Sequence, residues 1–423
     1  MIRLLIMLMC LLFILLGVTL KMRTMILFSL VWFFECLINY ISKPQVFDPS
    51  DFSLICIGLF ILFTNIGMIV CKKTRLKIDS KHSTYTLNTK LFYLINIVAI
   101  AYFFYAFTIP SIRITKQYGI FYTRYYTYVA SDEFFGSTAK LVFAQQFIFA
   151  LFFASMAIGI MEFMNSKSSK IYKNPPLIIG VLEMLLFTYT FKGRTPLFLV
   201  LFYLLFSFIY CNKWKGKEVL SFADLSRKSK IRLISVAIII SLVSVSLARF
   251  DGLAKIKKYF VMYFGSQLTY FSELIKMYDT KYEFGRYIFC GFTDYLKLFL
   301  NRILGTGFTL GSSEIGTMID GYTAIGPDLH MNAGCTAAFY FYYEAGVFGV
   351  IVYSLLSGMI FSIISNTVKQ RDNVLWDIAY ISILYVIFYS YSGWMLKYLY
   401  FWLLPLVIRL LYKKDTQTAL QVQ

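Results

Sequence analysis

Two histidines stand in 423 residues, and only 15% of the chain is charged. Acidic residues are the scarcer sign, 22 Asp and Glu against 41 Lys and Arg. A soluble domain carries roughly 25% charged residues, so this chain lacks the polar side chains to clothe a water-facing globule. The same shortage excludes a basic nucleic-acid binder, which spreads positive charge over a solvated surface. No GxxxxGK[ST], no GxGxxG behind a strand and no DxD occurs, which argues against nucleotide phosphate chemistry. The cysteines form no CxxC and no Cys/His metal spacing. Cys10, Cys36, Cys56, Cys71 and Cys211 lie in or at the ends of apolar runs, where a thiol is a small hydrophobe.

What the chain has in excess is apolar: 59% of residues, with mean hydropathy +0.67. A helix needs about 20 apolar residues to cross roughly 30 Å of hydrocarbon, because only internally bonded backbone survives there. Eleven runs approach that length: 4–20, 25–41, 52–71, 91–109, 141–164, 176–191, 195–211, 231–248, 346–365, 375–391 and 395–412. The first follows Arg3 and has no small-x-small cleavage site behind it, so it reads as a retained span rather than a signal peptide. Lys and Arg concentrate in 21–24, 72–90, 165–175, 212–230, 366–374 and the tail, which face the cytoplasm if the N-terminus lies outside. Most of the +19 formal charge is therefore an orientation signal. The expected fold is an all-α polytopic integral membrane protein, a single membrane domain over 1–423 with about eleven transmembrane helices.

Two long connections, 110–140 and 249–332, then fall on the outer face, the second expected to carry short helices. Long structured loops on one side of a bundle carry function more often than they serve as plain connectors. The segment 333–344 is too short to cross and reads as a half-helix or re-entrant piece; counting it as a twelfth span would invert every later loop. The spans show no internal repeat and no matched pair of Gly/Pro-broken segments, the pattern of many transporters.

Group transfer outside the cell needs an activated donor that is not a nucleotide, and a lipid diphosphate fits. Its chemistry asks for cations on the diphosphate and a base near the acceptor hydroxyl. Lys192 and Arg194 lie in the turn Phe191-Lys192-Gly193-Arg194-Thr195-Pro196, and Arg249 follows the 231–248 run, all at outer headgroup depth against the inside rule. Two readings remain open for them: diphosphate clamps, or side chains snorkelling to lipid phosphates. Arg286 and Arg302 lie in the long loop, and Arg124 sits in a tyrosine-rich stretch of the first loop, which suits an interfacial belt or a sugar groove. His82 falls in a cytoplasmic loop, whereas His330, in His330-Met331-Asn332, lies on the outer side, where an imidazole could take a hydroxyl proton. Glu344 closes the half-helix; Glu35 and Glu183 lie within spans, where a charge points to function.

The turn Gly193-Arg194-Thr195-Pro196-Leu197, Arg249 at the head of the long loop, and His330-Met331-Asn332 followed by Tyr342-Tyr343-Glu344-Ala345-Gly346-Val347-Phe348-Gly349 together resemble the oligosaccharide repeat-unit polymerases of bacterial surface polysaccharides. These are the Wzy-like O-antigen polymerases, related to O-antigen ligases. The resemblance implies a GT-C-like architecture in the bacterial inner membrane and metal-independent, inverting glycosyl transfer from undecaprenyl diphosphate, with no cofactor. It implies catalytic roles for His330, Arg194 and Arg249, and substrate contacts from Lys192, Arg124, Arg286, Arg302, Asn332 and Glu344. Its partners are the lipid-linked oligosaccharide, membrane lipids and a chain-length regulator protein, without nucleic acid. The alternatives are an O-antigen ligase, or a polysaccharide flippase or secondary transporter.

Overall fold

The computed structural model describes residues 1–76, 85–129, 135–165, 174–211, 258, 260–332, 334–368 and 373–414. The 231–248 run and Arg249 lie outside the described residues. The helices in chain order are α1 (Ile2–Thr19), α2 (Arg23–Ile41), α3 (Asp51–Val70), α4 (Thr89–Phe103), α5 (Ile109–Val129), α6 (Thr138–Phe143), α7 (Phe149–Asn165), α8 (Pro175–Phe191) and α9 (Thr195–Ile209). They continue with α10 (Gln267–Met277), α11 (Cys290–Leu304), α12 (Gly311–Asp320), α13 (Ala337–Val368), α14 (Val374–Tyr389) and α15 (Leu399–Leu411). Single π turns join α4 to α5 (Phe104–Thr108) and α6 to α7 (Ala144–Ile148). Short strands β1 (Tyr85–Leu87), β2 (Thr323–Gly326), β3 (Leu329–Met331) and β4 (Tyr412–Lys414) make two antiparallel pairs, β1 with β4 and β2 with β3.

Among the described residues six helices are long and apolar enough to cross a membrane: Ile2–Thr19, Arg23–Ile41, Asp51–Val70, Thr89–Gly119, Lys140–Asn165 and Ala337–Val368. Shorter apolar helices cover Pro175–Phe191, Thr195–Ile209, Val374–Tyr389 and Leu399–Leu411. Their starts follow local rules. Ser50 Oγ accepts the Ser53 amide at the head of α3, and Asn174 Oδ1 accepts the Leu177 amide ahead of the two prolines that open α8.

The sequence reading differs at two places. Residues 110–129, read as loop, are helical: α4, the π turn and α5 run on as one helix through Pro110, and the helix bends at Gly119 with φ 80°. The run 395–412 begins as a 3-10 turn over Met395–Lys397, and the α-helix starts only at Leu399. By its contacts the chain divides into two compact units: Met1–Lys77, Asp251–Gln370 and Ser382–Tyr398 make the first, and Ile78–Phe250, Arg371–Ile381 and Leu399–Gln423 the second.

The first unit is built on α3 against α13. A Cβ on Gly67 would lie 2.2 Å from Leu355 O, and one on Gly358 would lie 2.0 Å from Thr64 O, so only glycine lets these backbones meet. α1 packs on α2, and Trp32, Phe60 and Phe341 fill the interior. The 42–50 connection is stitched to the insert formed by 260–336. The Phe47 amide donates to Ile325 O (2.8 Å), Thr269 Oγ1 to Phe47 O (2.8 Å), and the Ser50 amide to Ser272 Oγ (2.9 Å).

The second unit repeats the glycine device between α7 and α8. A Cβ on Gly180 would lie 2.4 Å from Met156 Cα, and one on Gly159 2.6 Å from Leu177 Cα. Its interior is a phenylalanine cluster: Phe103, Phe149, Phe187 and Phe191 pack ring against ring, with Phe149 and Phe187 centroids 4.6 Å apart. Where α5 meets α8, Thr108 and Thr190 hydroxyls bond at 2.9 Å and Ser111 Oγ donates to Thr190 O at 2.6 Å.

Candidate functional site

The most constrained part of the first unit is the break in α13. Ala345 and Gly346 leave helical geometry, and Gly346 takes φ 62°, ψ −151°, a region essentially reserved for glycine. The break ends the turns 337–344 and frees backbone groups, which the insert uses: the Lys281 amide donates to Tyr343 O and the Glu283 amide to Glu344 O, each at 3.0 Å. The buried Glu344 carboxylate completes the joint. It accepts the amides of Arg286 (2.8 Å), Tyr287 (2.7 Å) and Ile288 (3.1 Å), three consecutive donors around one anion.

Arg286 and Glu344 are thus brought together, through the arginine's backbone. The guanidinium of Arg286 points to other partners: Glu283, the Thr309 hydroxyl, and Glu314 at 2.9 Å. Partial burial works against its charge, but Glu283, Tyr287 and Glu314 outweigh that and hold its pKa above the usual arginine value. Tyr343 Oη also donates to Glu314 (3.0 Å), and the Tyr287 and Tyr343 rings pack at 4.7 Å. In this state Arg286 is matched by two carboxylates and works as the hub of the insert.

The insert is otherwise self-consistent. Asp294 on α11 accepts the Gly311 and Ser312 amides, both at 2.8 Å, capping the positive end of α12. Tyr270 Oη ties α10 to Ile319 O at 2.6 Å. Arg302 lies exposed in the last turn of α11. The same helix turns Phe292, Leu296, Phe299 and Ile303 outward, all more than half exposed, at the spacing of a single apolar stripe. An uncovered stripe of this kind on a short helix with Lys297 and Arg302 is the pattern of a helix lying in a lipid interface.

The insert docks on the turn that precedes α15. Trp394 Nε1 donates to Ile288 O (3.0 Å), and a Cβ on Gly291 would lie 2.1 Å from Lys397 O. Lys397 Nζ donates to Tyr340 Oη at 2.6 Å and sits over the Tyr340 and Tyr398 rings at 4.8 and 5.0 Å. No carboxylate among the described residues forms an ion pair with it. Sequence reasoning absorbed this lysine into the 395–412 run; the signal that could have found it was one cation near the start of an apolar stretch.

His330 lies exposed on β3, opposite Ala324 in the β2–β3 hairpin, with Asn332 half-buried just beyond it. In the second unit Lys192 takes left-handed geometry (φ 51°, ψ 27°) at the end of α8, and its ammonium lies 3.9 Å from the Tyr189 ring centroid. Partial burial pulls its pKa below the usual lysine value. Arg194 is half-buried at the N-cap of α9, where its carbonyl accepts the Leu197 and Phe198 amides. Arg124 lies on α5. Among the described residues no group of three His, Cys, Asp or Glu is arranged to hold a metal ion.

Comparison with known proteins finds no matching family model, no similar curated protein and no similar solved structure.

Proposed function

We propose that the chain polymerises undecaprenyl-diphosphate-linked oligosaccharide repeat units of a bacterial surface polysaccharide, an O-antigen or a capsule. The reaction runs at the outer face of the cytoplasmic membrane, with the N-terminus outside, the C-terminus inside, eleven spans and a GT-C-like arrangement. The observation that supports this reading is the insert: a folded, hydrogen-bonded body whose α11 leaves Phe292, Leu296, Phe299 and Ile303 exposed as one apolar stripe, which suits a lipid interface. A catalyst for a glycan carried on a lipid has to work at that boundary. A substrate that only crossed the membrane would require no such platform.

In the proposed step, a hydroxyl of the incoming unit attacks the anomeric carbon of the growing glycan. The glycosidic bond forms as the bond to the lipid diphosphate breaks, so the leaving group takes the electron pair. His330 receives the hydroxyl proton. Arg194 and Arg249 stabilise the charge that develops on the diphosphate, with Lys192 beside Arg194. Arg124, Arg302 and Asn332 contact the glycan or its phosphates, while Arg286 and Glu344 shape the platform. Loss of one such cation lowers the rate by about 10²–10³. The test is elongation of a purified lipid-linked repeat unit by the purified protein. Wild type should give a ladder, and Arg194→Ala or His330→Ala, inserted at normal levels, single units only. A normal ladder from His330→Ala would remove that residue from the mechanism, and no elongation by wild type would remove the activity.

A further inference from the structure

One cluster in the first unit carries more buried acceptors than donors. Glu35 lies on α2 at 3% exposure, with Asn39 one helical turn further on and fully buried. The junction between the π turn Val261–Gly265 and α10 packs against them. Asn39 Nδ2 donates to Gly265 O at 2.7 Å and reaches Thr269 Oγ1 at 3.3 Å, while the Gln267 backbone amide donates to the Glu35 carboxylate. Gln267 Nε2 turns back to Tyr263 O at 3.3 Å. Those bonds fix both amides, because flipping Asn39 would set its oxygen against the Gly265 carbonyl. Three oxygens are left with no donor: Glu35 Oε1, Asn39 Oδ1 and Gln267 Oε1.

A buried acceptor without a donor calls for a missing partner, and three such acceptors lie on α2 and on the start of α10 packed against it. A proton on Glu35 supplies one donor for three acceptors. The titratable groups facing Glu35 are Cys36 and Tyr391, neither a cation; Arg3 on α1 bonds Asp48 through Nη2 at 2.7 Å and keeps Nε and Nη1 without an acceptor, but it is not among the groups that act on Glu35. A bare carboxylate is expensive inside a span. One positive charge would neutralise the site, whereas a divalent ion would leave an excess. Carboxylate and amide oxygens are hard donors, suited to alkali ions and not to soft metals.

We propose that Glu35, Asn39 and Gln267 bind a monovalent alkali cation, holding α2 to the start of α10. The assignment is independent of the glycosyl-transfer reading. It is tested by thermal unfolding of the purified full-length protein in detergent, in sodium, potassium or choline chloride at equal ionic strength and pH 8. Specific binding raises the melting temperature by mass action. Wild type should melt a few degrees higher in one alkali salt than in choline, with saturation, and Glu35→Gln should lose that difference. Should Glu35→Gln fail to fold, Gln267→Met and the wild-type titration with native mass spectrometry for a bound alkali ion decide. Identical melting in all three salts would overturn the proposal and assign a proton and a water to the cluster. A cation response retained in Glu35→Gln would overturn it as well, by placing the ion elsewhere.

Discussion

The two units solve the same packing problem and a different polar one. Each brings two helices to backbone contact through a glycine pair, Gly67 with Gly358 in the first and Gly159 with Gly180 in the second. Each also buries a carboxyl group. In the first unit Glu344 is surrounded by the amides of 286–288. In the second, no backbone amide among the described residues reaches Glu183; the Ser155 hydroxyl lies beside it and donates to Asn96 Oδ1 at 2.9 Å. One carboxyl group is built into the fold as an anchor. The other is buried without a backbone donor.

That contrast breaks most sharply at the two glutamates. Glu344→Ala leaves three amides without an acceptor, at about 1–3 kcal/mol for each buried one. We expect loss of several kcal/mol and rapid proteolysis in 281–289, read by limited digestion and mass spectrometry. Glu183→Gln, which keeps the shape and removes the ionisable group, should leave the melting temperature within a degree or two or raise it. Equal damage from the two substitutions would abolish the distinction between the units.

The glycine crossings should answer alike. Gly358→Val and Gly180→Val each force a side chain into a partner backbone, and overpacking of this kind costs about 1–3 kcal/mol or more. Thermal unfolding of the two variants should show comparable losses. A harmless Gly180→Val would mean that the second crossing does not depend on glycine.

The smallest effect concerns an ion pair of the first unit. Arg3 donates to Asp48, with Lys43 nearby, and this holds the Asp48 carboxyl below the usual aspartate range. Because the folded pKa lies below the unfolded one, the pair stabilises above the unfolded value, near pH 4, and that contribution is lost as pH falls through the folded value. Asp48 is 60% exposed, so the effect is small. Asp48→Asn should melt slightly below wild type at pH 6, with the gap narrowing as pH falls below the usual aspartate range.

Helix positions were legible because the signal for them is local. Ten of the eleven apolar runs coincide with helices to within a few residues, and the eleventh, 231–248, lies outside the described residues. The site was legible only as a set of residue types. Arg286 and Glu344 are named by their charge, but nothing local says that one meets the other's backbone 58 positions away. The Lys397–Tyr340 pair and the Asn39–Gly265 bond are equally long-range, and Lys397 was hidden because hydropathy averages a single cation away. The helical 110–129 was missed because its tyrosines carry no clean apolar period.

The sequence by itself determined a membrane-embedded, mostly helical chain and the approximate ends of its helices. Apolar length, capping side chains and charge bias act over a few neighbouring residues, so they can be read in order along the chain. Only the tertiary structure decided which buried charges are anchored and which stand open. Glu344, Glu183 and Glu35 look alike as letters in apolar surroundings; what separates them is how many backbone or side-chain donors the rest of the fold brings within bonding distance.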